Sequence, residues 1–275
     1  MRKCIIIVIG LFVDISACLC YNYFSYGAVS DALAGYTSTT IGIWQVWGNQ
    51  AGIADIQSPV LTSYYRQRFM LSELADKSIA VVYPTRPLHM SFSWQVFGNN
   101  SYRENRITLG TARKFGENFY GGLRFNRYNT YMSQGLNQYV MYNVDAGIIS
   151  RLHENFILGC YIHSLIPTKV RKGQDNLLPT IMGIGVAYTI STNIQVMSEM
   201  QLTGTSRYSW IGALQVKPSD RLFIFTGAQI HDYAYNISFG FNYRISNYEL
   251  GLAVVQHPQL GINPSLQISY SFGRK

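Results

Sequence analysis

Side chains able to do acid–base or ligand chemistry are few in this chain. The histidines are His89, His153, His163, His231 and His257. Only His231-Asp232 places an imidazole beside a carboxylate. A general base must be oriented within hydrogen-bond reach of its substrate or nucleophile. Sequence neighbours in a strand point to opposite faces, so this pair would need a bent backbone to act together. His153 falls in a turn, and His89 and His163 fall in strands without an evident carboxylate partner. No Gly-x-Ser-x-Gly elbow occurs, and no His/Cys/acid cluster has metal-ligand spacing. These residues predict a non-enzymatic chain without metal or cofactor. An enzyme centred on His231 is the alternative.

Binding chemistry has a better candidate. The stretch from Pro167 to Pro179 mixes Lys169, Arg171 and Lys172 with Leu177 and Leu178. It reads as a long surface loop that could contact lipopolysaccharide phosphates or a partner protein. Arg103, Arg106, Arg124 and Arg127 could line an interior. The formal net charge is +8, but the bases are scattered, which speaks against nucleic acid as a partner.

These groups must be positioned by strands. Charged residues make up 13% of the chain, about half the usual quarter for soluble domains, while mean hydropathy is +0.03. A helical membrane protein would be far more apolar; a membrane barrel averages a lipid face and a wet face. At the N-terminus, Arg2 and Lys3 precede the apolar run Cys4 to Val13, which Asp14 and small residues follow. This pattern predicts an export signal over 1–20, too short to span a bilayer. Ile15-Ser16-Ala17-Cys18 also fits a lipoprotein cleavage box. Cys160 is the one cysteine away from that region, so no disulfide framework is expected.

Beyond residue 60, segments of about ten residues alternate with turn signals. The period predicts strands at 60–69, 78–86, 88–98, 102–114, 118–132, 138–151, 156–166, 180–190, 194–203, 207–217, 222–231, 234–245, 248–257 and 264–272. Connections after even strands are short, as at Pro87, Ser191 to Asn193 and Ser246-Asn247. Longer ones follow odd strands: Met70 to Lys77, Ser133 to Asn137, Pro167 to Thr180 and His257 to Asn263. This split fits short periplasmic turns and longer outer loops. In the last strand Leu266, Ile268, Tyr270 and Phe272 alternate with Gln267, Ser269 and Ser271, giving a lipid face and a lumen face. The expected fold is all-β: a transmembrane antiparallel barrel of about fourteen strands in the outer membrane, its last strand closing on its first. The competing architecture is a soluble β-sandwich or propeller. Both faces of Leu222 to Thr226 are apolar, which fits a filled lumen or a sandwich core.

Residues 21–59 lack strand alternation and carry Trp44 and Trp47. Their apolar run Gly42 to Trp47 does not suit a solvated tail, so they are read as a hatch folded into a barrel formed by 60–275. Within them Asn49-Gln50-Ala51-Gly52 resembles the Asn-Pro-Ala-Gly-type signature of fatty-acid-transporter-like (FadL-like) outer-membrane proteins of Bacteroidetes. Gln50 stands where that signature has proline. Tyr64 to Phe69, Leu74 to Ser78, Tyr83-Pro84-Thr85, Ile166 to Lys169, Leu178-Pro179-Thr180 and Gln256 to Gly261 are similar to PorV/PorQ-like members. The resemblance covers most of the mature chain. It implies a fourteen-stranded barrel of the long-chain fatty acid transporter type and a role in type IX secretion, with secretion components or cargo as partners besides outer-membrane lipid. A FadL-like transporter of hydrophobic small molecules is the alternative.

Overall fold

The computed structural model describes residues 27–132, 139–165, 169–171, 174–177, 179–204, 207–231 and 234–273. The predicted signal therefore lies outside the described residues. Strands β1 (Val60–Gln67), β2 (Ala75–Pro84), β3 (His89–Gly98), β4 (Tyr102–Phe115), β5 (Phe119–Met132), β6 (Tyr139–His153) and β7 (Phe156–His163) are followed by a short hairpin, β8 (Lys169–Arg171) and β9 (Gln174–Leu177). The chain continues with β10 (Ile181–Ser191), β11 (Ile194–Thr203), β12 (Arg207–Ser219), β13 (Leu222–His231), β14 (Ala234–Ile245), β15 (Tyr248–His257) and β16 (Gly261–Ser271). All but β8 and β9 form one closed antiparallel barrel of 14 strands. Closure removes the sheet edges that hydrocarbon cannot solvate.

The seam lies between β1 and β16, in register from Val60↔Ser271 to Arg66↔Ser265. Along β16 the period of two sorts the side chains as the sequence suggests. Asn263, Ser265, Gln267 and Ser269 are buried inside, while Leu266, Ile268 and Phe272 are exposed outside. Outward aromatics ring both ends. Tyr83, Phe119, Tyr188, Tyr248 and Phe272 stand near the even turns, and Tyr131, Tyr142, Tyr208, Trp210 and Tyr235 near the odd loops. Two such girdles around an apolar band are the mark of an outer-membrane barrel.

Four sequence expectations are corrected. The stretch from Pro167 to Pro179 is not wholly loop, because β8 and β9 pair within it. The connection from His257 to Asn263 is not long: β15 reaches His257 and β16 starts at Gly261. The last strand, expected over 264–272, begins earlier, at Gly261; β1 pairing ends at Arg66↔Ser265, so Pro264 meets a paired neighbour on one side alone. Finally, Arg103 and Arg127 do not line the interior. Their strands alternate so that Glu104, Arg106, Arg124 and Asn126 face in, and 103 and 127 have the opposite parity.

Candidate functional site

The lumen is filled by the N-terminal segment. It comprises α1 (Ala28–Ala32) and two single turns of tighter helix, at Ile43–Val46 and Gln50–Ile53. The α1 turn packs on β13 to β16, the first tight turn on β2 and β3, and the second on β4, β5 and β6. Leu33, Tyr36, Val46, Trp47, Ala51 and Ile53 are fully buried. Inward apolar side chains of the wall meet them. Phe225, Ile211 and Met197 pack around Leu33 and Tyr36, while Tyr64 and Tyr120 pack in the cluster around Trp47. This contact accounts for the apolar inner face of Leu222 to Thr226: the lumen holds protein there.

Three polar anchors tie the segment to different parts of the wall. At β1 and β2, Asp31 accepts from the Tyr64 hydroxyl and pairs with Arg66 at 3.2 Å, and Arg66 also pairs with Asp76 at 3.1 Å. Burial pushes the Asp31 carboxyl above the usual carboxylate range, against the pull of Arg66 and the Tyr64 hydroxyl. At β5 and β6, Arg124 donates to Asp145 at 2.8 and 2.6 Å and to the Val46 carbonyl at 2.7 Å. At β11, buried Glu199 accepts from the Thr37 and Ser38 amides at 3.0 and 2.9 Å and from the Ser38 hydroxyl at 2.6 Å. Tyr161 and Gln201 hold its other oxygen at 2.8 and 2.7 Å.

The Asn49-Gln50-Ala51-Gly52 motif sits against β4 to β7. Asn49 accepts from the Ala51 amide through its side chain, capping the second tight turn, and donates to the carbonyls of Ser38, Ile148 and Cys160. It fits because Gly147 has no side chain: a Cβ there would lie 2.0 Å from Asn49 Oδ1. Gly159 does the same for the Ser38 carbonyl, also at 2.0 Å. Gln50, in the place of proline, donates to Ser91 Oγ at 2.8 Å across Gly110. Gly159→Val is therefore expected to expel the Ser38 turn, seen as new protease cleavage in residues 27–59 while the heat-modifiable gel shift of the barrel persists.

The segment divides the remaining space. On the outer side a mouth cavity of about 440 Å³ lies over Asp31, Ala34 and Gly35, with Arg66, Arg68, Arg207 and His257 in its wall beside apolar Phe69, Ile181 and Val255. On the periplasmic side a second cavity of about 240 Å³ is lined by Val29, Thr39, Trp44, Phe223, Phe225 and Arg244. Sequence reasoning missed Glu199, Asp145 and Asp31, whose signal was a charge at an inward position of a strand or beside small residues. It had Arg106 and Arg124 among four candidates.

The other predicted residues are dispersed. Lys169 and Arg171 lie on β8, beside β6, and Lys172 is outside the described residues. His89 Nε2 lies 2.8 Å from the Ile56 carbonyl, His163 joins the Arg124–Asp145 cluster, and His153 and His257 meet backbone amides of turns. His231 lines the mouth, while its neighbour Asp232 is outside the described residues.

Fold and interior together define a class, the fourteen-stranded outer-membrane barrel whose lumen is occupied by its own N-terminal segment. Several solved structures are similar to this chain over nearly their whole length. The Ralstonia pickettii toluene transporter TbuX aligns with a TM-score of 0.72 at 10% identity, covering 92% of this chain and 100% of that one. The Pseudomonas putida toluene transporter TodX gives 0.71 at 11%, covering 90% and 96%. A Pseudomonas aeruginosa FadL homologue gives 0.64 at 11%, covering 90% and 98%. At such identities the likeness establishes a FadL-type fold. No protein-family model matches the sequence, and no curated protein is significantly similar to it.

Proposed function

We propose that this protein is an uptake channel for small hydrophobic or amphiphilic molecules, with residues 27–59 acting as its hatch. One observation carries the reading: among the described residues, the N-terminal segment and the wall side chains packed on it separate an outer mouth cavity from an inner one inside a closed wall. A solute entering the mouth meets Asp31 and Gly35, and reaches the space around Trp44 when the turn from α1 to Tyr36 moves. The amphipathic wall of the mouth suits a molecule with an apolar body and a polar end. The neighbours described as transporters support this reading over an enzyme.

Locking the segment tests it. A Cβ at Gly251 would lie 3.4 Å from Ala28 Cβ, close to disulfide reach. The pair Ala28→Cys and Gly251→Cys, oxidised, is expected to abolish uptake of toluene and oleate probes into whole cells, with recovery on reduction. Unchanged uptake by the oxidised protein would sink the hatch mechanism.

The secretion role is a second reading. It rests on the sequence resemblance, chiefly Asn49 to Gly52 and Tyr83-Pro84-Thr85. A deletion strain with normal surface display of type IX cargo would remove it.

A further inference from the structure

The outer wall between β6 and β11 is dented. Its outward side chains form cross-strand rows, one running Ala146, Ile162, Met182 and Leu202. Together with Cys160 and Ile184 in the row below, they line an apolar groove of about 420 Å³ on the membrane side. The dent follows from the lumen side. Gly147, Gly159 and Gly183 present no Cβ inward, so the backbone draws in until it meets Asn49, Ser38 and Tyr161. The small outward side chains of Ala146 and Cys160 leave the hollow unfilled.

Next to this groove stands a cation in an unfavourable place. Arg127 faces outward on β5, exposed, between its register partners Ile107 and Tyr142. No ion pair to Arg127 is found among the described residues. An outward arginine is costly at the bilayer midplane and costs little at the interface, where phosphate can reach it. Tyr142 lies four residues above Ala146 on β6, so Arg127 is about 14 Å from the rim of the groove. Basic residues Lys169 and Arg171 sit on β8, against β6 on the same extracellular side. One molecule complements both features: an anionic head at the level of Arg127 and an apolar chain below it.

We propose that this face is a specific site for a phosphorylated lipid of the lipid A class from the outer leaflet. Its phosphate sits on Arg127 and an acyl chain fills the groove over Ala146 and Cys160. The site is separate from the lumen and does not depend on the transport reading.

Native mass spectrometry of the refolded barrel, titrated with diphosphoryl lipid A, tests the proposal. A one-to-one adduct is expected for the wild type. Arg127→Gln and Ala146→Trp should each weaken it at least fivefold, and Phe239→Ala on the far wall should not. The heat-modifiable shift verifies that each variant is folded. Equal binding by all variants, or equal retention of phosphatidylethanolamine, would mean ordinary annular lipid and overturn the site. Equal retention of phosphatidylglycerol would overturn the lipid A assignment in favour of a glycerophospholipid.

Discussion

Asp145→Ala is expected to lower the unfolding free energy by about 3–5 kcal/mol, the cost of leaving a buried charge without its partner. Asp145 Oδ2 takes two hydrogen bonds from Arg124 and one from Asn126 Nδ2 at 2.8 Å, and Arg106 stands 3.6 Å away. Both arginines are nearly fully buried. Removing the carboxylate therefore takes the shared acidic partner from two buried guanidinium groups, and the Ser164 amide loses its acceptor as well. Arg124→Met should cost less, because Asp145 keeps Arg106, Asn126 and the Ser164 amide. The double variant Asp145→Leu with Arg124→Met is expected to be more stable than Asp145→Ala alone. Urea midpoints of the heat-modifiable shift would measure all three. Strictly additive losses would mean that the cluster is not a coupled unit. A buried ion pair is a poor source of net stability, so its use here is positional: Arg124 also holds the Val46 carbonyl, fixing where the Trp47 turn sits.

The barrel was legible because a membrane wall writes its pattern locally. Tyr235, Ile237 and Phe239 face lipid, and Asn236, Ser238 and Asn242 face inward, in the strict alternation that the outside and inside solvents impose. Strand ends followed from that alternation to within a few residues. The interior was less legible, for a physical reason. A residue such as Glu199 reads as one more polar inward position, and nothing local says that it faces the Thr37 and Ser38 amides instead of water. The same holds for Gly147 and Gly159, which read as ordinary strand glycines until Asn49 and Ser38 are placed against them. The arginines illustrate the limit from the other side. Parity alone separates 103 and 127 from 106 and 124, but only the outward pair's neighbours, Tyr142 and the groove beyond it, give Arg127 a role.

Glu199→Ala is the second substitution expected to act strongly, and it acts on the segment more than on the wall. Its β11 backbone pairs with β10 and β12 regardless of side chain, so the barrel should form. What is lost is the acceptor of two buried amides and a hydroxyl in the turn after Tyr36. Each stranded amide costs about 1–3 kcal/mol, so the two amides alone weaken docking of this turn by about 2–6 kcal/mol. Water entering from the mouth cavity would reduce the loss towards the lower value. Glu199→Gln keeps one carbonyl oxygen for the amides and should fall between. The Asp31 anchor behaves differently, because burial already works against its charge; Asp31→Asn should loosen the segment least. In planar bilayers the expected order of spontaneous opening events is Glu199→Ala, then Glu199→Gln, then Asp31→Asn, then wild type. If Glu199→Ala opened no more often than wild type while folding normally, the turn at Thr37-Ser38 would not be what closes the path between the two cavities.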